Sequence, residues 1–319
     1  MYGQIHVLGP QDPIPNIADA LKIHCPPGPV ALISAGWRHD EDDIASLTRD
    51  IDREIYHLPL YEWFDELGGA EPELSGLHRM RRKQILAFKK VYHIQLQAAL
   101  ETWDNIRRLH RSKPSLYEED EQLACQYLQE VDRNCLHRLE QIRADFTAIQ
   151  QPWLHESVLP IFEEIAFTLS RCKSVIITGG HAAILRNRLM FFGLQNLLHE
   201  FVDDGNHIYA WSAGAMALSN RMVLYHDDPP WGNGYPEVMD YGLGLLDQVI
   251  FFPHAKARLD LSDPSRIERL ARRFSPDSCI CIENGAHLIF TEFGLEDISK
   301  RRSSFRLSSD GTKLAVENV

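Results

Sequence analysis

Short apolar runs that each stop at small residues constrain this chain most. Val30-Ala31-Leu32-Ile33-Ser34 stops at Ala35-Gly36, and Ser174-Val175-Ile176-Ile177-Thr178 stops at Gly179-Gly180. His207-Ile208-Tyr209-Ala210-Trp211 stops at Ser212-Ala213-Gly214. Runs this short, with little polar alternation, fit strands buried on both faces. Helix-like stretches lie between them: Asp40-Glu41-Asp42-Asp43 suits a helix start, and Ala182 to His199 reads as one helix. The alternation predicts an α/β fold with a mostly parallel sheet covered by helices on both faces. Ile55 to Leu60, Met222 to Tyr225 and Gln248 to Phe252 read as further strands. The tail predicts two hairpins. One joins Cys279–Ile282 to Ala286–Phe290 through Glu283-Asn284-Gly285; the other turns at Asp310-Gly311 between Ser303–Leu307 and Lys313–Val316.

The texture changes from about Glu71 to Cys172. Leu77, Met80, Phe88, Val91, Ile94 and Ala98 recur largely at helical spacing, and Trp103, Ile106 and Leu109 extend the pattern. Ser112-Lys113-Pro114-Ser115 breaks it; a second helix runs from Leu123 to Phe146 and a third from Val158 to Leu169. The first arm is basic (Arg79, Arg81, Arg82, Lys83, Lys89, Lys90, Arg107, Arg108) and the second acidic (Glu118, Glu119, Asp120, Glu121, Glu130, Asp132). The two are expected to fold as an antiparallel hairpin with complementary charge. Residues 1–64 and 173–319 then form the α/β domain, and 65–172 a helical insertion: a solvated hairpin, a lid or a homodimer arm. Nucleic-acid binding through the basic arm is disfavoured, because the acidic arm screens it.

Composition narrows the function classes. A formal net charge of −12 argues against binding to nucleic acid or an anionic membrane surface. The N-terminal residues lack the basic and apolar regions of a signal peptide, and the longest apolar runs fall far short of the ~20 residues a membrane helix needs. Six scattered cysteines form no CxxC pair and no zinc grid, so reduced thiols in a cytoplasmic protein are expected, with no metal or organic cofactor.

Ser212 carries the chemistry. A serine on a tight strand-to-helix turn exposes its hydroxyl, and the next helix start offers backbone N–H groups to a developing oxyanion. Serine needs a base to take its proton. His254 follows the run Val249–Phe252 and Pro253, so it is expected at the C-terminal edge of the same sheet, where ligands of open α/β sheets bind. A carboxylate should orient the imidazole; Asp227, Asp228 and Glu283 all follow strand-like runs and stay open. The oxyanion donors would be the Ala213 amide and that of Gly180 or Gly179.

The pieces Val175–Gly180, Ala210–Ala215, Gly242-Leu243-Gly244-Leu245-Leu246 and Phe252-Pro253-His254 followed by Arg258 occur in that order. Together they resemble the dipeptidase E and cyanophycinase family of serine peptidases. The resemblance covers roughly residues 28–62 and 172–295. It implies a fold similar to class I glutamine amidotransferases, flavodoxin-like in outline, with serine in place of the amidotransferase cysteine. It also implies Ser212 as nucleophile, His254 as base, Asp227 as the acid, and Gly180 and Ala213 as oxyanion donors. The implied substrate is a small peptide or amide next to aspartate. Arg258 would hold its carboxylate, with Arg266 and Arg269 as weaker candidates.

Three departures bear on specificity. Ala210 stands where the family usually has glycine. His181 follows Gly179-Gly180 where a small polar residue is common, and would line the substrate pocket. The helical insertion is longer than the family's connection. These motivate an alternative expectation, a catalytically silent relative that binds a ligand or a protein through the insertion.

Overall fold

Strands form where the apolar runs lie, and the sheet order decides which loops meet. The computed structural model describes residues 2–149, 151–225, 234–299 and 303–316. The strands are β1 (Ile5–Leu8), β2 (Val30–Ile33), β3 (Ile55–Leu58), β4 (Ser174–Ile177), β5 (His207–Trp211), β6 (Arg221–Leu224), β7 (Glu237–Tyr241), β8 (Val249–Pro253), β9 (Ser278–Ile282), β10 (His287–Thr291), β11 (Gly294–Ser299), β12 (Ser304–Leu307) and β13 (Lys313–Leu314). The helices are α1 (Ile17–His24), α2 (Ala45–Thr48), α3 (Leu60–Ala70), α4 (Pro72–Ser112), α5 (Pro114–Ile149), α6 (Leu159–Arg171), α7 (Ala182–Phe191), α8 (Leu194–Asp203), α9 (Ala213–Leu218), α10 (Ala255–Arg258) and α11 (Pro264–Phe274).

The main sheet has the order β11-β10-β1-β5-β4-β2-β3. Its strands β1, β5, β4, β2 and β3 are parallel, and β10 and β11 close one side antiparallel. Period-two alternation splits these strands between two cores. Val7, Ile33, Ile177 and Ala210 enter the larger core, whereas Leu8, Leu32, Ile176 and Tyr209 enter a smaller one packed under α1.

Several expectations need correction. β1 lies between β10 and β5 although its four residues include His6, which is fully buried and stacked on Tyr209 with ring centroids 4.3 Å apart. A buried neutral imidazole there hides the strand from a hydropathy reading. His254 does not follow a strand of the main sheet: β8 pairs with β9 in a second sheet of order β13-β12-β9-β8. The run Cys279–Ile282 and the run Ala286–Phe290 do not form a hairpin. β9 pairs with β8 and β12, while β10 crosses to the open side of β1. The intervening turn is tied to the loop after β1, where Asn284 Nδ2 donates to the carbonyls of Pro10 (2.7 Å) and Ile14 (3.0 Å). β12 and β13 do form the hairpin expected at Asp310-Gly311. The single helix expected over 182–199 breaks at Gly193, whose φ is 70°, and a side chain there would press on Trp153 and Phe162.

The basic and acidic arms form the antiparallel hairpin α4–α5, but their charges serve mainly the body. Arg269 pairs with Asp104 (2.7 Å), Arg107 with Glu268, Arg272 with Glu121 (2.5 Å) and Arg273 with Asp132 (2.7 Å). All four pairs join the hairpin to α11. A cross-arm pair is Arg107 with Glu121 at 3.8 Å. Tyr92, Leu96 and Trp103 are fully buried along the seam. α6 contributes Ile165 and Leu169 to the core that the strands and the hairpin share.

Candidate active site

Three loops at the C-terminal ends of β2, β4 and β5 close on one another. A side chain on Gly36 would lie 2.3 Å from the Gly179 carbonyl oxygen, and one on Gly180 would lie 2.3 Å from that of Gly36. The His181 amide donates to the Gly36 carbonyl at 2.7 Å and pins the two loops together. A side chain on Gly179 would meet Ser212 Cβ at 2.8 Å. Glycine at 179 therefore lets the serine side chain lie directly over backbone. Gly36 was not anticipated as part of this cradle, although its position three residues after β2 matches that of Gly180 after β4.

Ser212 occupies φ 50°, ψ −118°, a conformation that L residues rarely adopt. Such strain costs about 1–3 kcal/mol and persists only where the surroundings enforce it. Here they do. β5 is fixed between β1 and β4, and α9 starts at once, with the Met216 amide donating to the Ser212 carbonyl at 3.0 Å. Gly214 permits the turn, since a side chain there would strike the Ile177 carbonyl at 2.3 Å. Ala210 is an ordinary strand residue paired with Val7 and Ile177, with φ outside the left-handed region. Glycine is thus required two residues after the serine but not two before. Among the described residues, the Ala213 and Gly180 amides have no acceptor.

His254 sits on a second clamped turn. It takes a left-handed conformation (φ 56°, ψ 33°) immediately after β8. Its amide donates to the Ile282 carbonyl at 3.0 Å, and the buried Tyr225 hydroxyl donates to the Pro253 carbonyl. Packing of α9 against β8 links this turn to the helix that follows Ser212. The Ser212 hydroxyl and the His254 ring make no hydrogen bond among the described residues. Such contacts commonly tighten only around bound substrate. Burial lowers the His254 pKa, the Arg258 guanidinium lowers it further, and Asp12 acts in the opposite sense. The imidazole is therefore neutral near pH 7 and able to accept a proton.

The carboxylates divide by place. Asp227 and Asp228 lie outside the described residues. Glu283 follows β9, beside the His254 turn, and its Oε1 accepts the Lys256 amide at 2.8 Å. Burial raises its pKa against the lowering effect of that hydrogen bond and of the Lys256 charge. Asp12, in the loop after β1, was not anticipated; its exposed carboxylate acts on His254 across the rim.

Arg258 is half-buried beside the Tyr225 ring, and no carboxylate among the described residues pairs with it. Arg269 differs, because Asp104 holds it in the hairpin seam. Arg266 reaches the Gly234 carbonyl at 3.3 Å. His181 is exposed and caps α7, with Nδ1 accepting from the Ile184 amide at 3.3 Å. Burial and Arg38 lower its pKa. Four histidines, His6, His24, His207 and His287, cluster on the α1 side of the main sheet. Among the described residues no group of three or more His, Cys, Asp or Glu is arranged to hold a metal ion.

All six cysteines are free and buried, and no described helix is long and apolar enough to cross a membrane. Among solved structures, the chain is similar to a peptidase from an acI-B1 Actinobacterium, at 13% identity and TM-score 0.49 over 99% of this chain and 98% of that one. It is also similar to a protein described as a peptidase E from Listeria monocytogenes EGD-e, at 11% identity and TM-score 0.46 over 97% and 100%. No curated protein matches the chain. The sequence pattern of peptidase family S51 matches residues 139–298, which include Ser212, His254 and Arg258. That span is half of the 319 residues, and the chain accordingly belongs to peptidase family S51, as a serine-type peptidase.

Proposed function

We propose that the protein hydrolyses a peptide or amide bond of a small acidic substrate through an acyl-enzyme on Ser212. The observation that carries the reading is the strained Ser212 turn, set over Gly179 with the Gly180 and Ala213 amides unengaged. His254 takes the serine proton as Oγ attacks the carbonyl carbon. The two amides stabilise the tetrahedral oxyanion, and His254 then returns the proton to the leaving amine. Water repeats the sequence and releases the acid. Asp227 orients His254 in this reading, with Glu283 and Asp12 as the other carboxylates to compare. Arg258 binds the substrate carboxylate, and His181 and Gly179 line the pocket. Ala210 gives no support to a catalytically silent protein, since a regular strand position needs no glycine.

Hydrolysis of Asp-Leu against Asn-Leu tests the substrate class. Asp-Leu should be cleaved faster, and Arg258→Gln should remove the preference mainly through KM. The same variant should shift the acid limb of kcat/KM to higher pH, because a cation that disfavours the His254 imidazolium is gone. Equal cleavage of the two dipeptides by wild type and Arg258→Gln would remove Arg258 from substrate binding.

A further inference from the structure

A second cavity, of volume ≈ 740 Å³, lies between the base of the hairpin and the body. It is separate from the Ser212 rim. α9 begins just after Ser212, and Asn220 and Arg221, just beyond its end, are in the cavity wall. α7 likewise runs from His181 at the rim to Met190 and Phe191 in the wall.

The wall is rich in guanidinium groups. Arg81 from α4, Arg143 from α5 and Arg186 from α7 converge on a single carboxylate, Asp240. Arg143 pairs with Asp240 directly, and Arg186 Nη2 lies 3.5 Å from it. Arg81 instead bonds His78 Nδ1 at 2.9 Å and stacks on Phe146. Among the described residues no carboxylate pairs with Arg81. Arg186 is 4% exposed, and among the described residues its Nη1 has no hydrogen-bond partner, nor does the buried Arg143 Nε. Arg221 is neutralised by Asp277 at 2.6 Å. Glu140 stands at the wall with a largely exposed side chain and accepts the Tyr241 hydroxyl at 3.3 Å. The excess positive charge is felt nearby. Burial and the surrounding arginines, Arg81 first, push His78 down to about 3, and burial pushes Arg186 down to about 9 against the pull of Asp240.

Buried cations need matching charge, and three guanidinium groups around one carboxylate leave the match incomplete. Beside them Trp153, Phe191 and Met190 supply apolar surface. The volume falls within the range of small-molecule sites, about 300–1,000 Å³. We propose that this cavity binds a small organic anion. Its carboxylate or phosphate faces Arg81, Arg143 and Arg186, and its flat apolar body lies against Trp153 and Phe191. Guanidinium forks suit either oxyanion, so the head group is defined by charge and planarity rather than by source.

Calorimetric titration of the full chain with phenyl phosphate, benzoate, inorganic phosphate and neutral benzyl alcohol tests the proposal. At least one aromatic anion should bind saturably, more tightly than benzyl alcohol and more weakly as salt rises. Arg143→Gln should weaken that binding by about tenfold or more. Ala144→Glu is the folding-safe variant: it changes an exposed α5 position in the cavity wall, should keep the melting temperature of wild type, and should weaken the same anion by a similar factor. Arg258→Gln, at the other site, should leave the binding unchanged. Absence of saturable binding by all three anions would overturn the proposal. So would binding that survives Ala144→Glu in a folded protein, or binding that is lost in Arg258→Gln.

Discussion

The Ser212 rim and the hairpin seam treat polar groups in opposite ways. At the rim, glycines at 36, 179, 180 and 214 bring backbone close, Ser212 and His254 hold left-handed backbone, and two amides are unengaged among the described residues. In the seam, Asp132 is fully buried and fully occupied. It accepts from Arg273 Nε at 2.7 Å, Arg273 Nη2 at 2.9 Å and the Tyr92 hydroxyl at 2.8 Å. The Val238 amide then donates to that hydroxyl at 3.0 Å. Idle donors held under strain point to chemistry, and satisfied charges point to anchorage. In the function proposed above, the difference separates residues that work on a substrate from residues that hold the hairpin to the body.

His254→Ala should act on the rim alone. Turnover should fall by about 10⁴-fold or more while the melting transition barely moves. Steady-state kinetics and calorimetry on one sample check both halves, and a large stability loss would recast His254 as structural. Asp132→Ala should do the reverse. It leaves Arg273 buried without its carboxylate, so stability should drop by about 3–5 kcal/mol in denaturant titration. Activity per folded molecule should stay close to wild type.

Acid should sharpen the contrast. Burial, with the neighbouring His287, His207 and His24, holds the His6 pKa down to about 2. The unfolded chain binds a proton near pH 6.5 that the folded chain refuses. Stability from this group is therefore complete above about pH 6.5 and declines as pH falls from there toward 2. At pH 5 His6 alone should cost about 2 kcal/mol. Denaturant midpoints from pH 7.5 to 5 should fall, and His6→Phe should flatten the slope. The smallest effect belongs to Ala210→Gly. It restores the residue usual in the family and should cost about 0.5–1 kcal/mol with kcat/KM nearly unchanged. A large gain in rate would mean that Ala210 limits the site after all.

The sequence made local features legible and long-range pairing much less so. The apolar runs at 30–34, 174–178 and 207–211 became β2, β4 and β5, because burial on both faces leaves a plain hydropathy signal. β7 and β11 gave no such signal, since Glu237-Val238-Met239-Asp240-Tyr241 and Gly294-Leu295-Glu296-Asp297-Ile298-Ser299 are interrupted by acids. The split into two sheets was hidden because a run such as Val249–Phe252 reads alike wherever it pairs. The charge complementarity of the hairpin was visible, but its partner was not. Arg269, Arg272 and Arg273 of α11 claim Asp104, Glu121 and Asp132, a choice fixed by tertiary packing. At the candidate site, Ser212, His254 and Arg258 stood out by motif, whereas Gly36 and Asp12 enter only through the meeting of loops.

We propose that the Ser212 rim is built for nucleophilic attack. Incubation of the folded protein with a fluorophosphonate, followed by intact-mass and peptide mass spectrometry, tests it most directly. One covalent adduct is expected on Ser212, absent in Ser212→Ala and formed far more slowly in His254→Ala. An unlabelled wild type, or an adduct that persists in Ser212→Ala, would contradict it.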